Sequence, residues 1–167
     1  MRFTVGHHLR DFTALAAVAD SLADSHAHIT FDVVARADAL APLRGLGNVR
    51  CHSGVSDEAL RALYQQAHVL FLPLRDATAN NSLLEGMACG LPVIATDLQG
   101  VRDYLGEDAC VFAPQADVDA LRHALLALSE DSGRVARMGA ASRVAAEALA
   151  WPVVAARTRQ VYSRVAA

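Results

Sequence analysis

The sequence has no lysine: all fifteen of its basic residues are arginine. We read this chiefly as codon bias, although Arg also suits phosphate through paired hydrogen bonds. Eighteen acidic residues bring the formal net charge to −3. The basic excess or stripe of a nucleic-acid footprint is therefore missing. Aromatics are scarce, at 5%. Ala and Val dominate the apolar set, so the core is expected from closely packed helices and strands. The three cysteines, Cys51, Cys89 and Cys110, lie far apart with no CxxC pair. That argues against a structural zinc site and reads as buried free thiols in a reducing compartment. No apolar run approaches the roughly 20 residues of a membrane-spanning helix. The chain enters a strand almost at once instead of forming a signal peptide, as expected of a piece of a longer polypeptide.

What is present fits one packed domain: 167 residues, 53% hydrophobic and 20% charged, which excludes a disordered chain. Residues 2–5, 29–35, 49–52, 69–72, 92–96 and 110–112 read as short apolar or β-branched strands. Between and after them, helical periodicity predicts helices over 11–25, 40–43, 57 onward, 82–89, 100–104, 117–129, 134–149 and 152–165. Ser56 caps the third of these, and Gly90 closes the helix before residue 92. Pro152 sits in a first turn, where it is tolerated. All-apolar strands alternating with amphipathic helices predict an α/β domain: a parallel sheet covered on both faces, Rossmann-like, in three α/β/α layers. Ligands of such sheets bind at the carboxyl ends of the strands. That directs attention to the loops at 6–11, 54–57 and 74–82.

The last loop runs R-D-A-T-A-N-N-S-L-L-E from Arg75 to Glu85. Small and polar residues there leave backbone N–H groups accessible at the start of a helix. A helix N-terminus carries unpaired donors and partial positive charge, which suits a phosphate. Glu85, one turn in, suits ribose hydroxyls better than an anion. As an isolated observation Glu85 also fits an ordinary first-turn acid, Asn80 and Asn81 fit turn residues, and Ser82 fits a helix cap. Arg75 and Asp76 fit a surface ion pair of little energetic consequence. Met87 and Leu91 read as core, and Trp151 as a packing anchor for the last helix. His7 and His8 lack a nearby third ligand, so no metal site is expected.

The stretch from Glu85 to Ala95, E-G-M-A-C-G-L-P-V-I-A, resembles the group 1 (GT4) retaining glycosyltransferases of GT-B fold, whose donor domains carry E-A-M-A-x-G-x-P-V-V-A. Likeness extends to Val5-Gly6, to Gly54-Val55-Ser56-Asp57-Glu58 with Leu63-Tyr64, to Gly100-Val101-Arg102-Asp103, and to the Trp151 helix. The resemblance implies the C-terminal, donor-binding half of a GT-B enzyme. It implies that Glu85 binds the ribose of a UDP- or GDP-linked sugar. The diphosphate would be held by Arg10, His7 and the backbone of Ser82, Leu83 and Leu84. Asp76, Asn80 and Asn81 would approach the sugar, and Arg36, Gly54 and Val55 the base. Ala77 stands where the family has its first Glu, Thr78-Ala79-Asn80 replaces Gly-Phe-Gly, and the first turn has no Lys.

The resemblance further implies glycosyl transfer without a metal or other cofactor, and an acceptor-binding domain elsewhere in the full-length chain or on a separate subunit. Without that domain the chain is expected to bind donor and transfer nothing. Self-association through the exposed docking face is a further expectation, as is a cytoplasmic location, free or at the inner face of the membrane. The alternatives are a non-catalytic nucleotide-binding module and a sugar-nucleotide epimerase of the same architecture. A dinucleotide-binding oxidoreductase is excluded by the missing G-x-G-x-x-G.

Overall fold

The computed structural model describes residues 2–5, 9–77 and 80–165. Six strands, β1 (Arg2–Val5), β2 (Phe31–Val34), β3 (Val49–His52), β4 (Leu70–Leu72), β5 (Val93–Thr96) and β6 (Cys110–Ala113), form one sheet in the order β3-β2-β1-β4-β5-β6. Every pairing is parallel. Strands β1 to β3 wind outward one way and β4 to β6 the other. The reversal between β1 and β4 leaves a crevice at their carboxyl ends, where α/β sheets bind ligands.

Successive strand residues point to opposite faces, and the core divides accordingly. Phe31, Val33, Phe71 and Ile94 face helix α1 (Phe12–Ala23) and helix α5 (Val118–Glu130). Val34, Leu70, Leu72, Val93 and Ala95 face α2 (Asp57–Gln66), α3 (Asn81–Ala88) and α4 (Gln99–Arg102). Both faces are buried, so the strands carry continuous apolar runs instead of alternating ones. Helix α6 (Ser132–Glu147) spans the two sides: Met138 belongs to the first cluster, whereas Ala141 and Ala145 pack on the second.

Polar caps fix the helix starts. Asp11, Ser56, Asn80, Asp117 and Asp131 each accept a hydrogen bond from a backbone N–H three residues on, each worth about 1 kcal/mol. The cap of α3 is Asn80, not Ser82, and the helix begins a residue earlier than expected. Asn accepts from its own first turn as readily as Ser does, and here it also has a second partner, described below.

Two packing expectations fail. Trp151 opens α7 (Trp151–Val165) but is 84% exposed, and no residue of that helix is buried. It is not packed into the core of the described residues. Cys51 is exposed on the outer strand β3, while Cys89 is half-buried and only Cys110 is buried. No helix among the described residues is long and apolar enough to cross a membrane.

Candidate functional site

The loops after β1 and β4 meet over the crevice. Arg10 and Leu74 form an antiparallel bridge. The Asp11 N–H donates to the Pro73 carbonyl at 2.9 Å, and the Arg75 N–H to the Leu9 carbonyl at 2.9 Å. Leu9 adopts left-handed backbone, φ 58°, a conformation that costs a non-glycine residue on the order of 1 kcal/mol and collects near functional sites. Thr96, at the end of β5, accepts the Leu74 N–H through its hydroxyl at 2.8 Å. Three strand ends thus hold one platform.

Arg10 turns inward from this platform. It is buried, and its Nη2 donates to Asn80 Oδ1 at 3.2 Å. Burial lowers its pKa to about 10, which leaves the guanidinium charged at neutral pH. The same Asn80 oxygen accepts the Leu83 N–H at 3.2 Å. The first turn of α3 therefore carries a fixed cation beside its own partial positive charge.

These contacts engage several of the expected site residues within the fold. Asn80 was expected at the sugar; its amide oxygen is instead engaged with Arg10 and the helix start, inside the fold. Leu83 and Leu84 were expected to offer N–H groups to the diphosphate, but both already donate to Asn80. The first-turn N–H groups of Asn81 and Ser82 make no bond to a described residue. These are first-turn donors of α3 left without a described partner. His7 lies outside the described residues, as do Thr78 and Ala79.

Glu85 is exposed, one turn into α3. The Tyr64 hydroxyl donates to its Oε2 at 2.9 Å and lies 3.3 Å from the Ser82 carbonyl. Tyr64 comes from α2 and is only 2% exposed. Burial, and then the neighbouring Glu85 charge, push its pKa up. In the sequence Tyr64 stood out only through the likeness at Leu63-Tyr64; its hydroxyl, unlike the Leu63 side chain, needs a polar partner when buried. Glu85 also lines a groove of about 650 Å³ between α3 and the α6–α7 corner, with Leu84, Tyr104, Arg143 and Trp151 on its walls. Arg143, another residue without a sequence signal, donates to the Ala88 carbonyl at the end of α3 and to Glu147.

Residues 7–131 match the family model described as glycosyl transferases group 1. The chain belongs to that family. It is 34% identical over 122 residues to the MMP alpha-(1->4)-mannosyltransferase of Mycolicibacterium hassiacum, covering 71% of this chain and 30% of that protein. It is 32% identical over 117 residues to the D-inositol 3-phosphate glycosyltransferase of Xylanimonas cellulosilytica, covering 70% and 28%. The chain thus spans less than a third of the length of these relatives. Among solved structures, sucrose-phosphate synthase from Thermosynechococcus elongatus matches with a TM-score of 0.81 at 22% identity, over 98% of this chain and 45% of that one. The pneumococcal O-GlcNAc transferase in complex with UDP and GlcNAc gives 0.77 at 17%, over 98% and 35%. At these identities the structures establish the shared GT-B-type α/β fold.

Within this group 1 domain the other expected site residues are spread along the carboxyl edge of the sheet. Arg36 and Asp38, after β2, form an exposed two-pronged ion pair at 2.8 and 3.2 Å. Gly54, after β3, is exposed with φ 65°, and Val55 packs against the second core cluster. The two segments end adjacent strands, joined by the Ala35 N–H donating to the His52 carbonyl at 3.1 Å. Asp76 is exposed and folds onto the Ala77 N–H at 2.8 Å. Arg75 faces Asp11 at 3.7 Å instead of Asp76. Asn81 is exposed on the groove.

Proposed function

We propose that this domain binds the nucleoside diphosphate portion of a sugar nucleotide, and that it is the donor half of a retaining glycosyltransferase. One observation carries the reading: a helix N-terminus backed by the buried Arg10 cation, with the exposed Glu85 carboxylate held one turn further in. The diphosphate meets the Asn81 and Ser82 N–H groups at the positive end of α3. Glu85 accepts from ribose hydroxyls, and the base lies along the ends of β2 and β3 by Arg36, Gly54 and Val55. Membership of the glycosyl transferases group 1 family supports this assignment, as do relatives named as glycosyltransferases.

In the proposed reaction the bond from the anomeric carbon to the diphosphate oxygen breaks, a new one forms to the acceptor hydroxyl oxygen, and the proton of that hydroxyl passes to the departing diphosphate. This domain contributes charge stabilisation: fixed N–H dipoles and a nearby cation, aimed where negative charge develops on the leaving diphosphate. The proposal needs no metal. The acceptor is held by a separate domain, and domain closure excludes water, so the 167-residue chain alone transfers nothing. The test is calorimetric titration with UDP, GDP and ADP. One nucleotide is expected to saturate a single site, with affinity falling at least about tenfold in Glu85→Ala, the loss of hydrogen bonds to a charged group. Absence of saturation by all of them, or an unaffected variant, contradicts the reading.

A second reading has one observation in its favour. Ala77 stands where the family has its first Glu, and neighbouring Asp76 is folded back on the backbone. A non-catalytic nucleotide module would show this. Sugar nucleotide binding no tighter than the free nucleotide, together with no transfer by the whole protein, decides for the module.

A further inference from the structure

Resting on the assignment of Glu85 to the ribose, we infer that Tyr64 is its positioning residue, a buried phenol that fixes one carboxylate oxygen so that the other is presented to the ribose hydroxyls. Glu has three rotatable side-chain bonds, and an exposed one samples many rotamers whose loss costs binding free energy. Glu85 does not have that freedom. Its Oε2 sits 2.9 Å from the Tyr64 hydroxyl, and the ring of Tyr64 is immobilised in the core formed with Leu72, Leu83 and Met87. The hydroxyl carries one proton. Its shorter contact is to the carboxylate and its longer one, 3.3 Å, to the Ser82 carbonyl. Oε1 makes no hydrogen bond to a described residue, and Glu85 lines the open groove beside α3. Because burial and the Glu85 charge raise the phenol pKa, the donor remains protonated throughout the physiological range.

The arrangement also couples α2 to the site. Tyr64 and Arg10 bear on the first turn of α3 from different segments, one through Glu85 and Ser82, the other through Asn80. Arg10 sets the charge at the helix start and Tyr64 sets the direction of the carboxylate. The two roles give different signatures. Loss of a charge weakens every nucleoside diphosphate alike. Loss of carboxylate direction weakens only ligands that have ribose hydroxyls.

The experiment compares UDP, GDP and ADP with their 2′,3′-dideoxy counterparts by calorimetry on the wild-type chain, Tyr64→Phe, Glu85→Ala and the double variant. Tyr64→Phe keeps the ring packing, and a thermal melt of each variant reports its fold. We expect the wild type to prefer the ribonucleotide. Tyr64→Phe should cut that preference at least about fivefold, the effect of losing a hydrogen bond to a charged group, while dideoxynucleotide affinity stays constant. In the Glu85→Ala background Tyr64→Phe should have no further effect. Loss of preference in Glu85→Ala with full preference in Tyr64→Phe overturns the positioning role alone, as does an equal fall for both nucleotide types. No ribose preference in the wild type, or none lost in Glu85→Ala, removes the Glu85 assignment and this inference with it.

Discussion

Asn80 shows how much a single side chain can hold. One amide oxygen caps α3 and accepts from the buried Arg10. Asn80→Ala removes a cap worth about 1 kcal/mol and leaves a buried cation short of an acceptor, for a total of about 2–4 kcal/mol. A melting temperature lowered by roughly 5–12 °C is expected. Asn80→Asp keeps the cap and pairs with Arg10, so the fold should survive; it also places an anion at the end of α3 proposed for the diphosphate, so nucleotide affinity should fall. A thermal melt and a titration on the same sample separate the two effects. Cys110 gives a residue-scale check on the core. Burial pushes its pKa from the usual 9.0 up to about 12. The unfolded thiol ionises first, so the stability associated with the protonated thiol is complete below pH 9.0 and is lost as pH rises towards 12. At neutral pH a thiol reagent should label Cys51 quickly and Cys110 only at the rate of opening. Fast labelling of Cys110 would mean a looser β6 than the structure shows. The sequence singled out Glu85 as a candidate because its neighbours form a dense motif. It did not reveal Asn80 as cap and anchor, because an Asn–Asn pair before a helix is equally compatible with a turn, and the deciding partner, Arg10, lies seventy residues away.

At the scale of elements, the contact between α6 and the end of α3 depends on a missing side chain. A Cβ on Gly139 would collide with the Gly90 carbonyl, whereas one on Gly133 would meet Arg137 Nη1 and Asp131 Oδ1 no closer than 3.4 Å. Gly139→Ala should therefore cost about 1–3 kcal/mol through forced separation of backbones. Gly133→Ala should be neutral or stabilise by up to about 1 kcal/mol through helix propensity. Parallel denaturant melts decide; equal effects would contradict the close approach. Five of the six strands were legible to within a residue at either end, most of them because they are short apolar runs closed by Gly, Pro or a polar turn. Residues 29–35 were read as longer than β2 turned out to be. The face each strand residue takes was not legible: in a doubly covered sheet both faces are apolar, so the period-two signal disappears. Trp151 was misjudged for a related reason. An aromatic residue at a helix start reads as an anchor, and only the fold reveals that this one is left 84% exposed, on the wall of an open groove.

At the scale of the whole molecule, α7 stands apart energetically. Trp151, Val161, Tyr162 and Val165 are all at least 60% exposed, so the helix adds little apolar burial. Removing residues 156–167 should shift the melting temperature by no more than about 2 °C, as expected for mostly exposed positions. A larger loss would mean that the helix packs on the domain in solution. The central claim is more specific: the chain receives a nucleoside diphosphate at the switch point of its sheet, on the first turn of α3. The measurement that tests it most directly is an amide NMR titration with UDP and GDP, residue by residue. The largest shifts are expected at Asn81, Ser82 and Glu85, with a second group at Arg36, Gly54 and Val55. Shifts confined to α7 or to the far edge of the sheet, with α3 silent, would contradict it.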